Sequence, residues 1–209
     1  MTVISRPAIE RIAFLREFLR HPFTVAAVTP SSGPLADTIT ASVPATGSPT
    51  VVELGPGTGA FTAAVQRRLA GRGRHVAIEI NERFAAPLAM RFPQVDVVVG
   101  DAAHLRDVLQ RHGLGHADVI VSGLPWAAFA AERQDDLLGA VTEVLAPDGV
   151  FTTFAYTATL WAPPAVRLRR SLHARFEEVV PGRTVWANFP PALVYYCRRP
   201  RTPFSSMPV

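Results

Sequence analysis

Three glycines at alternate positions, Gly55, Gly57 and Gly59, follow a short β-branched run that ends in an acid, Val51-Val52-Glu53-Leu54. Glycine has no Cβ and accepts positive φ, so this run predicts a tight turn that brings bare backbone against a ligand. A helical pattern from Ala60 to Leu69 follows, and the turn therefore joins a strand to a helix. The spacing is G-x-G-x-G, not the G-x-G-x-x-G that seats a pyrophosphate on a helix N-terminus. Glu53 at the strand end would repel a phosphate and attract an ammonium group. A ligand with an amino-acid tail and a nucleoside head suits these residues, and S-adenosyl-L-methionine (SAM) is the candidate. A tight turn with no ligand is the plainer reading of the glycines taken alone.

Two more acids fall where strands should end. The run His75-Val-Ala-Ile-Glu79 places a carboxylate about twenty residues past Gly59, the position from which dinucleotide folds engage ribose hydroxyls. The run Val97-Val98-Val99-Gly100-Asp101 ends in an acid that can accept a hydrogen bond from an adenine amino group. A fourth strand leads into Ser122-Gly123-Leu124-Pro125-Trp126. Each acid alone can be a helix cap. Three in succession after such a turn point to one site.

The elements that must position these residues alternate. Strands are expected at 50–54, 75–80, 95–99, 118–122 and 150–156, and helices at 35–41, 60–70, 82–91, 103–111, 132–145 and 164–176. Two further strands, 184–187 and 193–198, are joined by a link too short for a parallel crossover, which makes them a hairpin. The fold class is therefore α/β. It is a Rossmann-like, doubly wound, mostly parallel seven-stranded sheet with a C-terminal antiparallel β-hairpin. Residues 8–20 read as an amphipathic helix, with Ile9, Ile12, Leu15 and Leu19 at helical spacing. Residues 1–46 form an N-terminal segment, 47–200 the main domain and 201–209 a tail.

The only cysteine is Cys197, which excludes an internal disulfide and a cysteine-built metal centre, and no metal site is expected. No apolar run reaches the length of a membrane span, and no signal-peptide pattern opens the chain. A cytoplasmic protein, free or peripheral on the inner face of the membrane, is expected. The net charge is +4, and lysine is absent, so arginine carries the basic character. The excess lies near the two ends, in 6–20 and 167–201. It is either a solvated face or one drawn to anionic lipid or nucleic acid.

From residue 50 to about 198 the chain resembles the class I SAM-dependent methyltransferases. Within them it is similar to the bacterial phospholipid N-methyltransferases. The matching residues are Phe18-Leu19-Arg20-His21-Pro22 with Thr29-Pro30-Ser31-Ser32, then Ser122–Trp126, then Trp186-Ala-Asn188-Phe-Pro190-Pro191-Ala192-Leu-Val-Tyr195. The resemblance implies SAM as cofactor and S-adenosyl-L-homocysteine as product. It implies phosphatidylethanolamine or its methylated derivatives as acceptor. Cofactor contacts would come from Ser31, Ser32, Glu53, Gly55, Gly57, Gly59, Glu79, Ile80, Asp101, Ala102 and Ser122. Catalytic roles would fall to Ser122, Gly123, Leu124, Pro125 and Trp126. An anionic membrane surface would be met through residues 8–20, unless that helix is instead a lid packed on the domain, and through the Arg167–Arg175 region. Ribosomal RNA adenine dimethylases share the glycine turn but carry Asn before Leu-Pro. Here Ser122-Gly123 stand there, so nucleic acid is not the expected partner.

Methyl transfer asks the protein chiefly to position the acceptor, exclude water and dispose of a proton. His21 is the nearest candidate base, though it suits a helix end better. The Ser122 side chain, or the carbonyls of Gly123 and Leu124, can orient an amine. Trp126, Phe129, Tyr156 and Trp161 offer aromatic faces that either hold methylated ammonium or simply pack. A methyltransferase of a soluble metabolite, and a nucleic-acid-binding module, are the competing readings. The acceptor, the number of transfers and the oligomeric state are left open by the sequence.

Overall fold

The computed structural model describes residues 31–201. The expected helix at 8–20, the Phe18–Pro22 and Thr29-Pro30 motif residues and all but the first residue of the tail lie outside them. Seven strands form one sheet: β1 Thr50–Leu54, β2 Arg74–Glu79, β3 Asp96–Val99, β4 Ala117–Ser122, β5 Leu145–Tyr156, β6 Phe176–Pro181 and β7 Ala192–Pro200. Their order is β3-β2-β1-β4-β5-β7-β6. The first five are parallel, and β7 runs antiparallel to both β5 and β6. Among the described residues six α-helices accompany them: α1 Gly33–Ile39, α2 Ala60–Leu69, α3 Glu82–Arg91, α4 Leu105–Arg111, α5 Ala131–Val144 and α6 Pro163–Arg175.

The central strands read as continuous apolar runs because both faces are covered. Val51, Val119 and Val121 pack under α1 and α2 through Leu35, Ile39, Phe61 and Val65. Val52, Leu54 and Ile120 face the other way, toward Leu105, Leu137, Val141 and Leu172 of α4, α5 and α6. Alternation of side chains across each strand produces this division.

The hairpin is present, but its first strand is not 184–187. That segment makes a single bridge, Val185 to Ala192, and the long pairing partner of β7 is β6. Residues 182–191 are thus a wide connection at the carboxyl edge of the sheet. The strand order reverses between β1 and β4, which sets a crevice at their carboxyl ends.

Candidate active site at the strand reversal

The glycine turn leaves β1 at that crevice. Gly55, Gly57 and Gly59 all take positive φ, at 67°, 52° and 85°. Two of them also permit close packing. A Cβ on Gly55 would lie 2.8 Å from the Leu124 side chain, and one on Gly59 would lie 2.7 Å from Leu88. Gly57 differs: a Cβ there would meet no heavy atom within 4 Å, so its bare backbone borders open space. Gly123 closes the facing side. Its N–H donates to the Leu54 carbonyl at 2.8 Å, and a Cβ would lie 2.6 Å from the Gly55 carbonyl. The turn after β1 and the loop after β4 are therefore locked backbone to backbone.

Glu79 ends β2 beside Gly57. Its Oε2 accepts from Gly57 N–H at 3.0 Å and its Oε1 from Asn81 N–H at 2.9 Å. The two backbone bonds fix the carboxylate in one orientation. Ile80, next along, is 70% exposed. Asp101 follows β3 and accepts from Ala103 N–H at 2.8 Å and from the Arg133 guanidinium, both at Oδ1. Burial pushes its carboxyl upward, but Arg133 and the Ala103 N–H outweigh that and hold it below its ordinary value. Ala102 is buried as the first residue of a short 3₁₀ turn.

Glu53 does not stand open at the strand end. It is fully buried on the α2 face, where Oε2 accepts from the Thr62 hydroxyl at 2.8 Å. His75 Nε2 lies 3.2 Å from the same oxygen. The Gln66 amide nitrogen lies 2.9 Å from His75 Nδ1, and His75 Nε2 makes no hydrogen bond. Glu53 Oε1 is buried without a hydrogen-bond partner in the protein. Glu53 thus bonds below the strand end, while Glu79 reaches the glycine turn. The depth of Glu53 is the reason: it pairs with Ala77, whereas Glu79 lies beyond the last paired residue of β1.

In the loop after β4 the aromatic side chain turns inward. Trp126 is 2% exposed and packs edge-on against Phe129 and Phe151, so it is core and not an open aromatic wall. Its indole N–H donates to Ser122 Oγ at 3.0 Å, and Ser122 is fully buried. The Leu124 carbonyl accepts from Trp126 N–H. Gln134 then clamps the loop, donating to the Trp126 carbonyl at 2.5 Å. Arg167 donates to Gln134 Oε1 and to the Phe129 carbonyl, at 3.1 and 2.9 Å. Sequence reading missed Gln134 and took Arg167 only as part of a basic surface, because their place here depends on α5 and α6 meeting over this loop. Pro125 begins the short turn that carries Trp126 inward. Phe129 and Tyr156 are part-buried, and burial raises the Tyr156 phenol to about 12.

Ser31 and Ser32 arrive from the other direction, at the head of α1. Ser32 Oγ caps the helix by accepting from Leu35 N–H at 3.3 Å. The structure thus gathers the glycine turn, Glu79, Asp101 and the β4 loop along one edge. Among the described residues no cluster of three metal-binding side chains occurs, and no helix is long and apolar enough to cross a membrane.

Comparison with known proteins agrees with this arrangement. A family model described as a methyltransferase domain matches residues 51–149. The chain is 36% identical over 188 residues to the ornithine lipid N-methyltransferase of Singulisphaera acidiphila, covering 88% of this chain and 94% of that one. An O-methyltransferase of tomaymycin synthesis from Streptomyces achromogenes, solved with SAM, superposes with a TM-score of 0.61 at 15% identity, over 95% of this chain and 92% of that one. A precorrin-6y C5,15-methyltransferase from Geobacter metallireducens gives 0.58 at 16% identity, over 79% and 87%. At such identities the two structures speak for the fold alone.

Proposed function

As the chain belongs to the class I SAM-dependent methyltransferases, we propose that it N-methylates the amine headgroup of a membrane lipid, phosphatidylethanolamine or an ornithine lipid. The observation that carries the lipid acceptor is the relative at 36% identity, whose own acceptor is an ornithine lipid. The Ser122–Trp126 and Trp186–Tyr195 motifs support the same class of acceptor.

The residues at the strand reversal fit the cofactor. The open backbone at Gly57 is a cradle that a Cβ would fill. Glu79 would accept from the ribose hydroxyls, its carboxylate already oriented by Gly57 and Asn81. Both observed bonds to Asp101 fall on Oδ1, and Oδ2 would take the adenine amino group. Ile80 and Ala102 would flank the base, and Ser31 and Ser32 would cover it. Glu53 would act through the turn it underlies. SAM supplies an electrophilic methyl group on a sulfonium and leaves as the neutral thioether.

The chain's part is to bring an unprotonated amine into line. The loop after β4 is suited to this because Gln134, Arg167 and the Ser122–Trp126 bond hold it rigid. The carbonyl of Gly123, whose N–H is bonded to the Leu54 carbonyl, would accept an amine N–H and aim its lone pair. Holding two reactants in such geometry is worth roughly 7–11 kcal/mol of barrier.

We infer that the same sheet edge faces the bilayer. Trp161 is 80% exposed and Trp186 77% exposed. Their loops are bonded together, since Thr157 donates its N–H and hydroxyl to the Pro191 carbonyl. Exposed indoles suit a headgroup boundary, where one face is apolar and the N–H stays wet. In the Arg167–Arg175 region, Arg167 is engaged by the β4 loop and Arg175 by Asp135, which leaves Arg169 and Arg170 to face anionic lipid. The reaction would then run at the cytoplasmic face of the membrane.

The test is SAM turnover on vesicles of phosphatidylcholine alone, with phosphatidylethanolamine, or with ornithine lipid, with lipid products identified by mass. Methylated lipid is expected only where an amine lipid is present. Turnover of a soluble amine with no lipid product would refute the reading.

A further inference from the structure

Two motifs that lie far apart in the sequence meet at one side chain. Asn188, in the connection between β6 and β7, is 4% exposed. Its Oδ1 accepts from Ser32 N–H at 3.0 Å, and its Nδ2 donates to the Pro190 carbonyl at 2.7 Å. Its own N–H donates to the Val185 carbonyl at 3.2 Å. Both ends of the amide and its backbone are therefore committed, which fixes the orientation of Oδ1.

Helix α1 does not depend on this bond for its place. Leu35, Ala36 and Ile39 are buried against the sheet, and Tyr196 donates its hydroxyl to the Thr38 carbonyl at 2.8 Å. Ser32 supplies its own helix cap. What Asn188 adds is a restraint on the residue that enters the helix. It ties Ser32, and Ser31 before it, to the connection between β6 and β7.

We propose that Asn188 is a positioning residue for the cofactor cover: its amide latches Ser32 and thereby holds Ser31 and Ser32 over the bound SAM. The proposal rests on the reading that those two serines cover the cofactor. It ties the segment that closes over SAM to the same connection that carries Trp186.

The bond can be removed from either side. Asn188→Ala removes the acceptor. Ser32→Pro removes the donor N–H while keeping a backbone angle proline accepts, since Ser32 has φ −68°. Ser32→Ala deletes only the hydroxyl cap and is the reference for Ser32→Pro. SAM affinity is measured by calorimetry on the full-length chain, and melting temperature is followed alongside. Loss of a part-buried bond of this kind predicts a rise in Kd of about fivefold to tenfold for Asn188→Ala, and the same for Ser32→Pro over Ser32→Ala. Against the Ser32→Ala reference the bond between Ser32 and Asn188 can be lost only once, so Ser32→Pro should add no further loss in the Asn188→Ala background, where the bond to Pro190 is also gone. The latch is overturned if Asn188→Ala lowers the melting temperature but leaves SAM affinity alone, or if the two losses multiply. Should Ser32→Pro alone weaken SAM, the cover survives and the latch fails. Should neither do so, both fail, with the methyltransferase assignment untouched.

Discussion

Gly57→Ala separates backbone strain from ligand contact. Gly57 has φ 52°, and a left-handed angle costs a non-glycine residue about 1–2 kcal/mol. In a chain of this size that lowers the melting temperature by roughly 2–8 °C. The new methyl meets no protein atom within 4 Å, so packing adds nothing to that loss. It does stand in the open space where SAM must approach the backbone. Overpacking by one methyl costs about 1–3 kcal/mol, which weakens binding roughly 5- to 150-fold. Gly47→Ala is the control. Gly47 has φ 76°, also lacks neighbours within 4 Å, and lies in the linker before β1, at the opposite edge of the sheet. The two variants should melt alike, and only Gly57→Ala should lose SAM affinity by calorimetry. Equal Kd values for both variants would refute the cradle.

Other perturbations test the support beneath the site. Ser122→Ala leaves the buried Trp126 indole N–H without its acceptor, and stability should fall by about 1–3 kcal/mol in denaturant melts, with kcat falling as the loop loosens. Unchanged kcat and stability would remove Ser122 from the mechanism. Thr62→Val takes the hydroxyl donor from buried Glu53, and a similar loss of about 1–3 kcal/mol is expected by the same measurement. Arg133→Gln should raise the Asp101 pKa, read by carboxyl NMR titration. Because the native group is held low, its contribution to stability is present above the unfolded pKa and disappears as pH falls through the folded one. The variant should therefore lose that contribution at a higher pH. Cys197 is buried, and burial pushes its thiol up to about 12, so a thiol reagent at pH 8 should label it only after unfolding.

Local chemistry made much of this protein legible in the sequence. Glycines at alternate positions demand a turn with positive φ, and β-branched runs alternating with helical patterns demand a parallel sheet. The carboxyl-edge crevice follows from that topology. The acids Glu53, Glu79 and Asp101 were legible as strand-end residues, but not the direction each takes. Register decides that. Glu53 lies opposite Ala77, and Glu79 is two residues further along the same face, about 7 Å nearer the edge. That one step separates a carboxylate buried under α2 from one that meets the glycine turn. Trp126 illustrates the same limit, since whether an indole faces a cleft or the core depends on Phe151 of another strand. The bond from Ser32 to Asn188 spans most of the chain. No spacing or periodicity encodes such a pair, because only the folded sheet brings the entry of α1 against the connection that leads into β7.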